Sequence, residues 1–466
     1  MKTNIILQTD SYKLAHWQMY PKGTTHVYSY FESRNGATFD NTVLFGLQYI
    51  LNKYLVGVKV TKEGIEEAAN LCKAHFGSET FFNRKGWEYV LEVHKGKLPV
   101  RIRAVPEGTP VPVSNVLMTV ENTDPNVPWL TNAIESLLTH VWYPSTVATQ
   151  SRACKQMFKE FLDKTSDNPN CINFMLHDFG YRGVSSDESA YIGGAAHLVN
   201  FLGTDTVPAM LAIVDAYGGN KDFTNLAYSV AATEHSVMTA RGKEGEAQIV
   251  SELIDLYPNG ILSVVADSYD IYNFVDNIVG KQFKDRILAR NGVFVVRPDS
   301  VTPEHPYPET EVVWILESLW NSFGGSVNNK GYKVLNPKVR MLWGDGLDME
   351  DIKQILKYVE EKGFSVENLV FGMGGGLLQK VNRDTQRFAF KSSAQCRNGV
   401  WYDIFKQPRD ESKVSKKGKL KLIKNGDSYK TVPINELGED ILTTVFENGK
   451  LITRYTFDEI RNNAKI

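Results

Sequence analysis

Seven short apolar runs, each followed by a turn and several then by a helical pattern, constrain the fold of this chain more than any other feature. They are INFML (172–176), LVNFL (198–202), LAYSVAA (226–232), ILSVVA (261–266), GVFVV (292–296), VRMLW (339–343) and NLVF (368–371). Each has strand length, and several lack the alternation of a half-exposed strand, as expected of strands buried on both faces. Helical patterns follow over 185–198, 268–279, 308–323 and 349–361. Alternating β and α units imply a parallel sheet. Seven of them over roughly 230 residues predict an α/β fold whose sheet closes into a (β/α) barrel.

The flanks follow other periods. Residues 24–31, 99–121 and 386–406 alternate apolar and polar, the signature of antiparallel strands with one wet face. Residues 44–95 and 127–165 carry amphipathic helical patterns, and Asn35-Gly36 and Asn398-Gly399 are turn signals. The predicted organisation is an N-terminal α+β part over 1–165, a barrel with an active-site rim over 166–384, and a β-rich part over 385–466 that completes a composite domain with the first. The basic, turn-rich segment 409–428 reads as a solvated loop. A formal net charge of −2 in 466 residues gives no global electrostatic case for binding nucleic acid. No apolar run approaches the ~20 residues of a membrane span, and the N-terminus lacks the apolar stretch of a signal peptide. Cys72, Cys154, Cys171 and Cys396 have neither pairing nor zinc-like spacing. Free, buried thiols of this kind fit a cytoplasmic protein.

Chemistry-bearing side chains follow the runs. In order they are His177-Asp178-Phe179, Gly203-Thr204-Asp205, Thr233-Glu234-His235, Asp267-Ser268, Arg297-Pro298-Asp299, Gly344-Asp345-Gly346 and Gly372 to Gly376. In a parallel barrel the carboxyl ends of the strands form the active-site rim. Asp, Gly and Ser also make turns and caps, but that alone is a poor account of seven such sites in succession with His177, His235 and Arg297 among them. FGMGGGLLQK (371–380) places glycines between a strand and a helix, where backbone N–H groups can take a phosphate or simply form a flexible turn. Leu377 stands where a dinucleotide fingerprint needs glycine, and no Gly-Lys-Ser/Thr makes it a P-loop. RPDS (297–300) offers an arginine for an anion or carbonyl and an acid for hydroxyls or metal-bound water, or else a structural ion pair. Asp178-Phe179-Gly180 echoes protein kinases, but no H-R-D loop accompanies it, which excludes them. The inventory suits a phosphorylated sugar with a diphosphate and a planar base.

These residues together resemble the nicotinamide phosphoribosyltransferases, a branch of the type II phosphoribosyltransferase family. The resemblance is nearly full-length and runs through TDSYKLAHWQMYP (9–21), YSYFESR (28–34), AVPEGTPVPVSNVL (104–117), LHDFGYRGVSS (176–186), HLVNFLGTDTV (197–207), EHS (234–236), DSYDIYN (267–273), RPDS (297–300), GGGLLQK (374–380) and YTFDEIR (455–461). It implies an irregular (β/α) barrel with an α+β domain built from both chain termini. It also implies a homodimer with active sites at the interface, and transfer of phosphoribosyl from 5-phosphoribosyl 1-pyrophosphate (PRPP) to nicotinamide. Phe179 and the partner copy's counterpart of Tyr12 would sandwich the pyridine ring. Asp205 would accept from the carboxamide NH₂, Arg297 would donate to its oxygen, and Arg182 would line the same pocket.

By the same resemblance Asp299 and Asp270 would serve the ribose side. His235 would be phosphorylated by ATP, with Glu234 orienting its ring. Gly344, Asp345, Gly374 and Gly375 would hold the 5′-phosphate, and Arg34, Arg383, Lys391, Lys406 and Lys413 the diphosphate. Mg²⁺ would be held mainly by diphosphate and water, without direct side-chain ligation. Three departures from relatives stand out: Ala266 in place of serine, Val301-Thr302 in place of a glycine-containing turn, and a short loop over 35–42. A sister activity on nicotinate would need a cationic or neutral partner for the substrate carboxylate, and Asp205 argues against it. A catalytically silent relative would be expected to lack His235, Asp299 or the glycines.

Overall fold

The apolar runs converge on one parallel sheet in the computed structural model, which describes residues 4–409, 414–426 and 428–466. The chain divides into two compact units. One comprises Met1–Thr149, Ala212–Gly219 and Val381–Lys465, and the other Gln150–Leu211 and Asn220–Lys380 with Ile466.

The second unit is the barrel. Its strands are β1 (Leu176–Asp178), β2 (Gly203–Thr204), β3 (Ala231–Ala232), β4 (Asn259–Val265), β5 (Asn291–Arg297), β6 (Val339–Trp343) and β7 (Leu369–Met373). They pair in the order β2-β1-β7-β6-β5-β4-β3, every pair parallel. The two outer strands also meet. Thr204 N–H donates to the Tyr228 carbonyl at 3.0 Å, and Tyr228 N–H donates to Leu202 at 2.8 Å. The ring therefore closes in chain order. Leu262, Val264, Phe294, Val296, Met341, Trp343, Phe371 and Met373 are buried along the strands, which explains runs without alternation.

Helices start where local chemistry tells them to. The Ser186 hydroxyl caps α1 (Asp187–His197) by accepting from Ser189 N–H. Pro308 opens α3 (Pro308–Phe323), after α2 (Glu246–Leu256). A capping box between Asp348 and Asp351 starts α4 (Met349–Glu361). A short α5 (Gly375–Leu378) follows β7.

Several expectations shift. The run 198–202 is not a strand, because Leu198, Val199, Asn200 and Phe201 continue out of α1 in turn conformation and Phe201 stacks on His197 at 5.1 Å. Residues 169–174 form a 3₁₀ helix, and the strand begins at Leu176. Of the third run, Ala231–Ala232 forms β3 and Tyr228, three residues before it, makes the isolated bridge to Gly203 that closes the ring. The helix expected from Ser268 begins at Ile271 and is π-wound from Asn273 to Gln282. The preceding residues are spent on the rim, and the Asp270 carboxylate accepts from Asn273 N–H at 3.0 Å.

The first unit is built on a seven-stranded antiparallel sheet. Its order is Val400–Asp403, Ala389–Arg397, Thr24–Glu32, Val116–Asn122, Val100–Ala104, Thr443–Glu447, Lys450–Leu451, so segments from both chain ends interleave. Helices Lys62–Phe76 and Arg84–Val93 bury Ile65, Ala68, Cys72, Trp87 and Val90 in its core. The expected solvated loop over 409–428 is corrected at its end. Leu420–Asn425 pairs with Ser428–Pro433, and Leu420 and Leu422 are buried. All four cysteines are free, three buried and Cys171 half-buried. Among the described residues no helix is long and apolar enough to cross a membrane.

Candidate active site

A cavity of about 640 Å³ opens at the carboxyl ends of the barrel strands, within the range of small-molecule sites. Phe179, Arg182, Asp205, Glu234, His235, Arg297, Asp299, Gly344, Asp345, Gly374 and Gly375 line it together, though they come from six different strand ends.

The aromatic wall comes first. Phe179 N–H donates to Met373 O at 3.0 Å, which turns the ring back over β7. A Cβ at Gly372 would stand 2.0 Å from the Phe179 ring, and one at Gly344 2.9 Å from it. These two glycines therefore make room for an aromatic ring. Gly376 is required for another reason, since a Cβ there would lie 2.3 Å from the Leu347 carbonyl. At Gly375, by contrast, a Cβ would meet nothing within 4 Å. The amides of Gly375 and Gly376 open α5, where no intrahelical carbonyl reaches them. The glycine run thus divides between ring packing and an open patch of backbone.

Opposite charges are interleaved at the next stretch of wall. Asp205 accepts from the Ser229 hydroxyl at 2.5 Å. Burial pushes the Arg297 guanidinium down, and the charges of Asp299, Asp205 and Asp267 oppose that fall. Arg297 Nε is buried without a partner among the described residues. A donor left unpaired at a cavity wall is open to an acceptor on a ligand.

His235 starts a single helical turn after β3. Its Nδ1 lies 3.1 Å from the Ser268 hydroxyl and its Nε2 3.4 Å from the Asp299 carboxylate. Glu234, expected to orient this ring, instead accepts from the Ser236 hydroxyl. Both neighbours of the imidazole come from the ends of other strands. Asp345 is raised by burial and then by the charges of Asp299 and Asp267, so three carboxylates press on one another here.

Sequence reasoning placed Asp267 and Ser268 on the rim but gave neither a role. Asp267 Oδ1 is buried and without a partner among the described residues, and Oδ2 accepts from Ser300. Their signal was position, immediately after the fourth apolar run. Asp270, expected on the ribose side, does not line the cavity and instead caps the π-wound helix. Ala266 is fully buried, with its N–H donating to Arg297 O at 3.0 Å. The departure at Thr302 has a structural use. Its hydroxyl donates to Glu311 at 2.7 Å, lies 2.8 Å from the Tyr272 hydroxyl and accepts from His305 N–H at 3.1 Å.

The remaining candidates belong to the first unit. Tyr12 is 57% exposed, on the 3₁₀ helix Ser11–Gln18. Lys391 is pushed down by burial, with Glu135 opposing and Arg34, Lys406 and Arg383 adding to the fall. These four cations therefore share one neighbourhood. Lys413 lies outside the described residues.

Residues 174–450 match the nicotinate phosphoribosyltransferase (NAPRTase) family, and residues 4–102 match the nicotinamide phosphoribosyltransferase N-terminal domain. A nicotinamide phosphoribosyltransferase of Xanthomonas campestris pv. campestris is 44% identical, covering 99% of this chain and 98% of its own. Another, from Acinetobacter baylyi, is 33% identical over 99% of this chain and 97% of its own. In fold, the chain is similar to the nicotinate-nucleotide pyrophosphorylase of Pyrococcus furiosus (TM-score 0.57, 17% identity, 99% of this chain and 95% of that one). Human nicotinic acid phosphoribosyltransferase is similar to the same degree (TM-score 0.55, 14% identity, 98% and 92%).

Proposed function

The chain belongs to the nicotinate phosphoribosyltransferase family, and on that premise we propose that it converts nicotinamide and PRPP to nicotinamide mononucleotide and pyrophosphate. The observation that carries the choice of substrate is Asp205 in one cavity with the Phe179 ring and the unpaired Arg297 Nε. A carboxamide supplies the donor a carboxylate wants and the acceptor a guanidinium wants. Nicotinate would bring a second negative charge to Asp205 and no donor.

The chemistry follows from charge. The pyridine nitrogen is a weak nucleophile, so the C1–O bond to diphosphate breaks largely first, its electron pair leaving on oxygen. The nitrogen lone pair then forms the new bond to C1. Asp299 and Asp267 stabilise the positive sugar that develops between these events. The open amides of Gly375 and Gly376 take the 5′-phosphate. The crowded carboxylates of Asp345, Asp299 and Asp267 are hard oxygen groups suited to the hydration shell of Mg²⁺. Magnesium, when bound, neutralises charge on the departing diphosphate.

His235 is assigned to ATP coupling. A ring nitrogen takes the γ-phosphoryl group as ADP leaves, and water later restores the ring and releases phosphate. The contacts to Ser268 and Asp299 hold the imidazole for that exchange. The enzyme works as a cytoplasmic homodimer in which the exposed Tyr12 and the cluster of Arg34, Arg383, Lys391 and Lys406 serve the partner copy's cavity. Product analysis with nicotinamide and nicotinate side by side tests the reading. Nicotinamide mononucleotide from the first and little product from the second is expected, and the reverse preference would refute it.

A further inference from the structure

Asp178 has no part in the chemistry above, yet it ties both arms of the pyridine end together. It closes β1 with 0% exposure. Its backbone carbonyl accepts Asp205 N–H at 2.9 Å, and its carboxylate Oδ1 accepts Gly180 N–H at 2.7 Å. One residue thus holds the loop of Asp205 and the turn that follows Phe179. Among the described residues its Oδ2 is without a hydrogen bond of normal geometry, as is the buried Thr206 hydroxyl beside it. A Cβ at Gly194 would lie 2.7 Å from Ala209 Cβ, 3.1 Å from Thr206 Cγ2 and 3.2 Å from Oδ2, so glycine there admits Ala209 first and leaves Oδ2 uncrowded as well. An asparagine would accept from Gly180 equally well, as it does in Asx turns. A buried acid is the costlier choice, and its charge needs a use.

We propose that Asp178 is a second specificity determinant, a buried carboxylate behind Asp205 that deepens the negative potential at the carboxamide end of the pocket and disfavours a substrate with a carboxylate there. This rests on the assignment of the pyridine site to Phe179, Asp205 and Arg297. The Thr206 and Thr204 hydroxyls that face Asp178 favour its charged form but are neutral, and leave its net charge uncancelled. Asp205 is the acid across from it, and the neighbouring His177 is held toward its neutral form by burial. Helix α1 presents Gly194, and α5 presents Leu378 to the Gly180 turn. Burial, and then the charge of Asp205, raise the Asp178 carboxyl to about 6 against the hydrogen bonds it accepts. Its charge is therefore present above about pH 7 and lost as pH falls through 6.

The test is competition by unlabelled nicotinate and unlabelled nicotinamide against turnover of labelled nicotinamide by the full-length enzyme, which requires no turnover of nicotinate. At pH 7.5, Asp178→Asn should narrow the ratio of the two inhibition constants about tenfold or more, the scale of one charge lost within about 10 Å at an effective dielectric near 20. KM for PRPP and the melting temperature should hold. An unchanged ratio in a folded variant overturns the proposal. Should the variant not fold, the wild type decides. Its ratio should narrow between pH 7.5 and 5.8, a window in which an ordinary carboxylate such as nicotinate stays ionised, and a flat ratio overturns the proposal. Persistence of that pH dependence in Asp178→Asn also overturns it. If neither compound competes in the wild type, the pyridine site itself is wrong and this inference falls with it.

Discussion

Two glycines three residues apart, Gly372 and Gly375, should respond to the same substitution in opposite ways. Alanine at 372 puts a methyl carbon 2.0 Å from Cε2 and 2.1 Å from Cδ2 of Phe179. Restoring an ordinary carbon–carbon contact requires a displacement of about 1.5 Å. The ring is flanked by Gly344 as well, so it can relieve the clash only by swinging into the cavity or by pushing β7. Overpacking of this kind costs about 1–3 kcal/mol. A stacking surface misplaced by more than 1 Å should raise KM for nicotinamide by on the order of 10–100-fold. Alanine at 375 meets nothing within 4 Å, sits in the first turn of α5, and should add about 0.5–1 kcal/mol through helix propensity. Its methyl nonetheless projects toward the amides assigned to the 5′-phosphate, so KM for PRPP should rise about tenfold. Thermal melting and steady-state KM for each substrate separate the two effects. Adding Phe179→Ala to Gly372→Ala should restore the melting temperature without restoring nicotinamide affinity. An unperturbed KM for PRPP in Gly375→Ala would remove the phosphate from this patch. A normal melting temperature in Gly372→Ala would show that the ring does not depend on the glycine.

Three further outcomes are expected. Asp205→Asn should lower discrimination against nicotinate by about an order of magnitude, since the carboxylate that repels a second carboxylate and accepts from an amide is gone, and unchanged selectivity in competition assays would take that role from Asp205. His235→Ala should abolish ³²P uptake from γ-labelled ATP while leaving slow ATP-independent turnover, and full labelling of the variant would place the phosphoryl group elsewhere. Glu107, buried in the first unit, accepts from Gly46 N–H, Gln48 N–H and Tyr217 OH, yet burial raises its carboxyl to about 7. A raised acid favours the folded state below its ordinary pKa near 4.5 and loses that contribution as pH rises through 7, a change of about 3 kcal/mol. The stability difference between wild type and Glu107→Gln should therefore move by that amount between pH 4.5 and 8 in urea unfolding, and a constant difference would refute the buried titration.

The barrel was legible because its signal is redundant. Runs such as 339–343 and helices such as 308–323 match their observed limits, since continuous burial and a proline or acidic start leave little freedom. The run at 198–202 misled because it is largely buried without being paired, and 172–174 because it is apolar without being buried, with Phe174 39% exposed. In the first of these apolar composition reports burial, and Phe201 reaches it by stacking on His197 outside any ladder. The glycines of 372–376 were visible as a group, but their separate reasons were not. The ring that Gly372 accommodates belongs to a residue almost two hundred positions earlier. Asp270 illustrates a limit of another kind. Spacing alone does not distinguish an acid that faces the cavity from one that caps a helix, and only the turn after β4 separates Asp267 from Asp270.

The charge balance of the cavity argues for help from outside the barrel. Its lining sets four carboxylates, Asp205, Glu234, Asp299 and Asp345, against Arg182, Arg297 and Lys380. Such a wall favours a sugar that becomes cationic, but it repels the polyanion from which that sugar must come. Burial already drives Arg297 down and Asp345 up, which shows that the barrel does not satisfy its own field. A diphosphate brought to this rim needs concentrated positive charge that is not spent on these acids. The Lys391 cluster has that character. Its lysine is depressed by burial first and then by the cations around it, with Glu135 opposing, so an incoming anion relieves repulsion as well as making contacts. On the homodimer reading the cluster of one copy serves the acids of the other, and association and PRPP binding are thermodynamically linked. PRPP or pyrophosphate should then shift the dimer toward lower dissociation constants in analytical ultracentrifugation, nicotinamide alone should do so much less, and equal effects of the two would refute that division of labour.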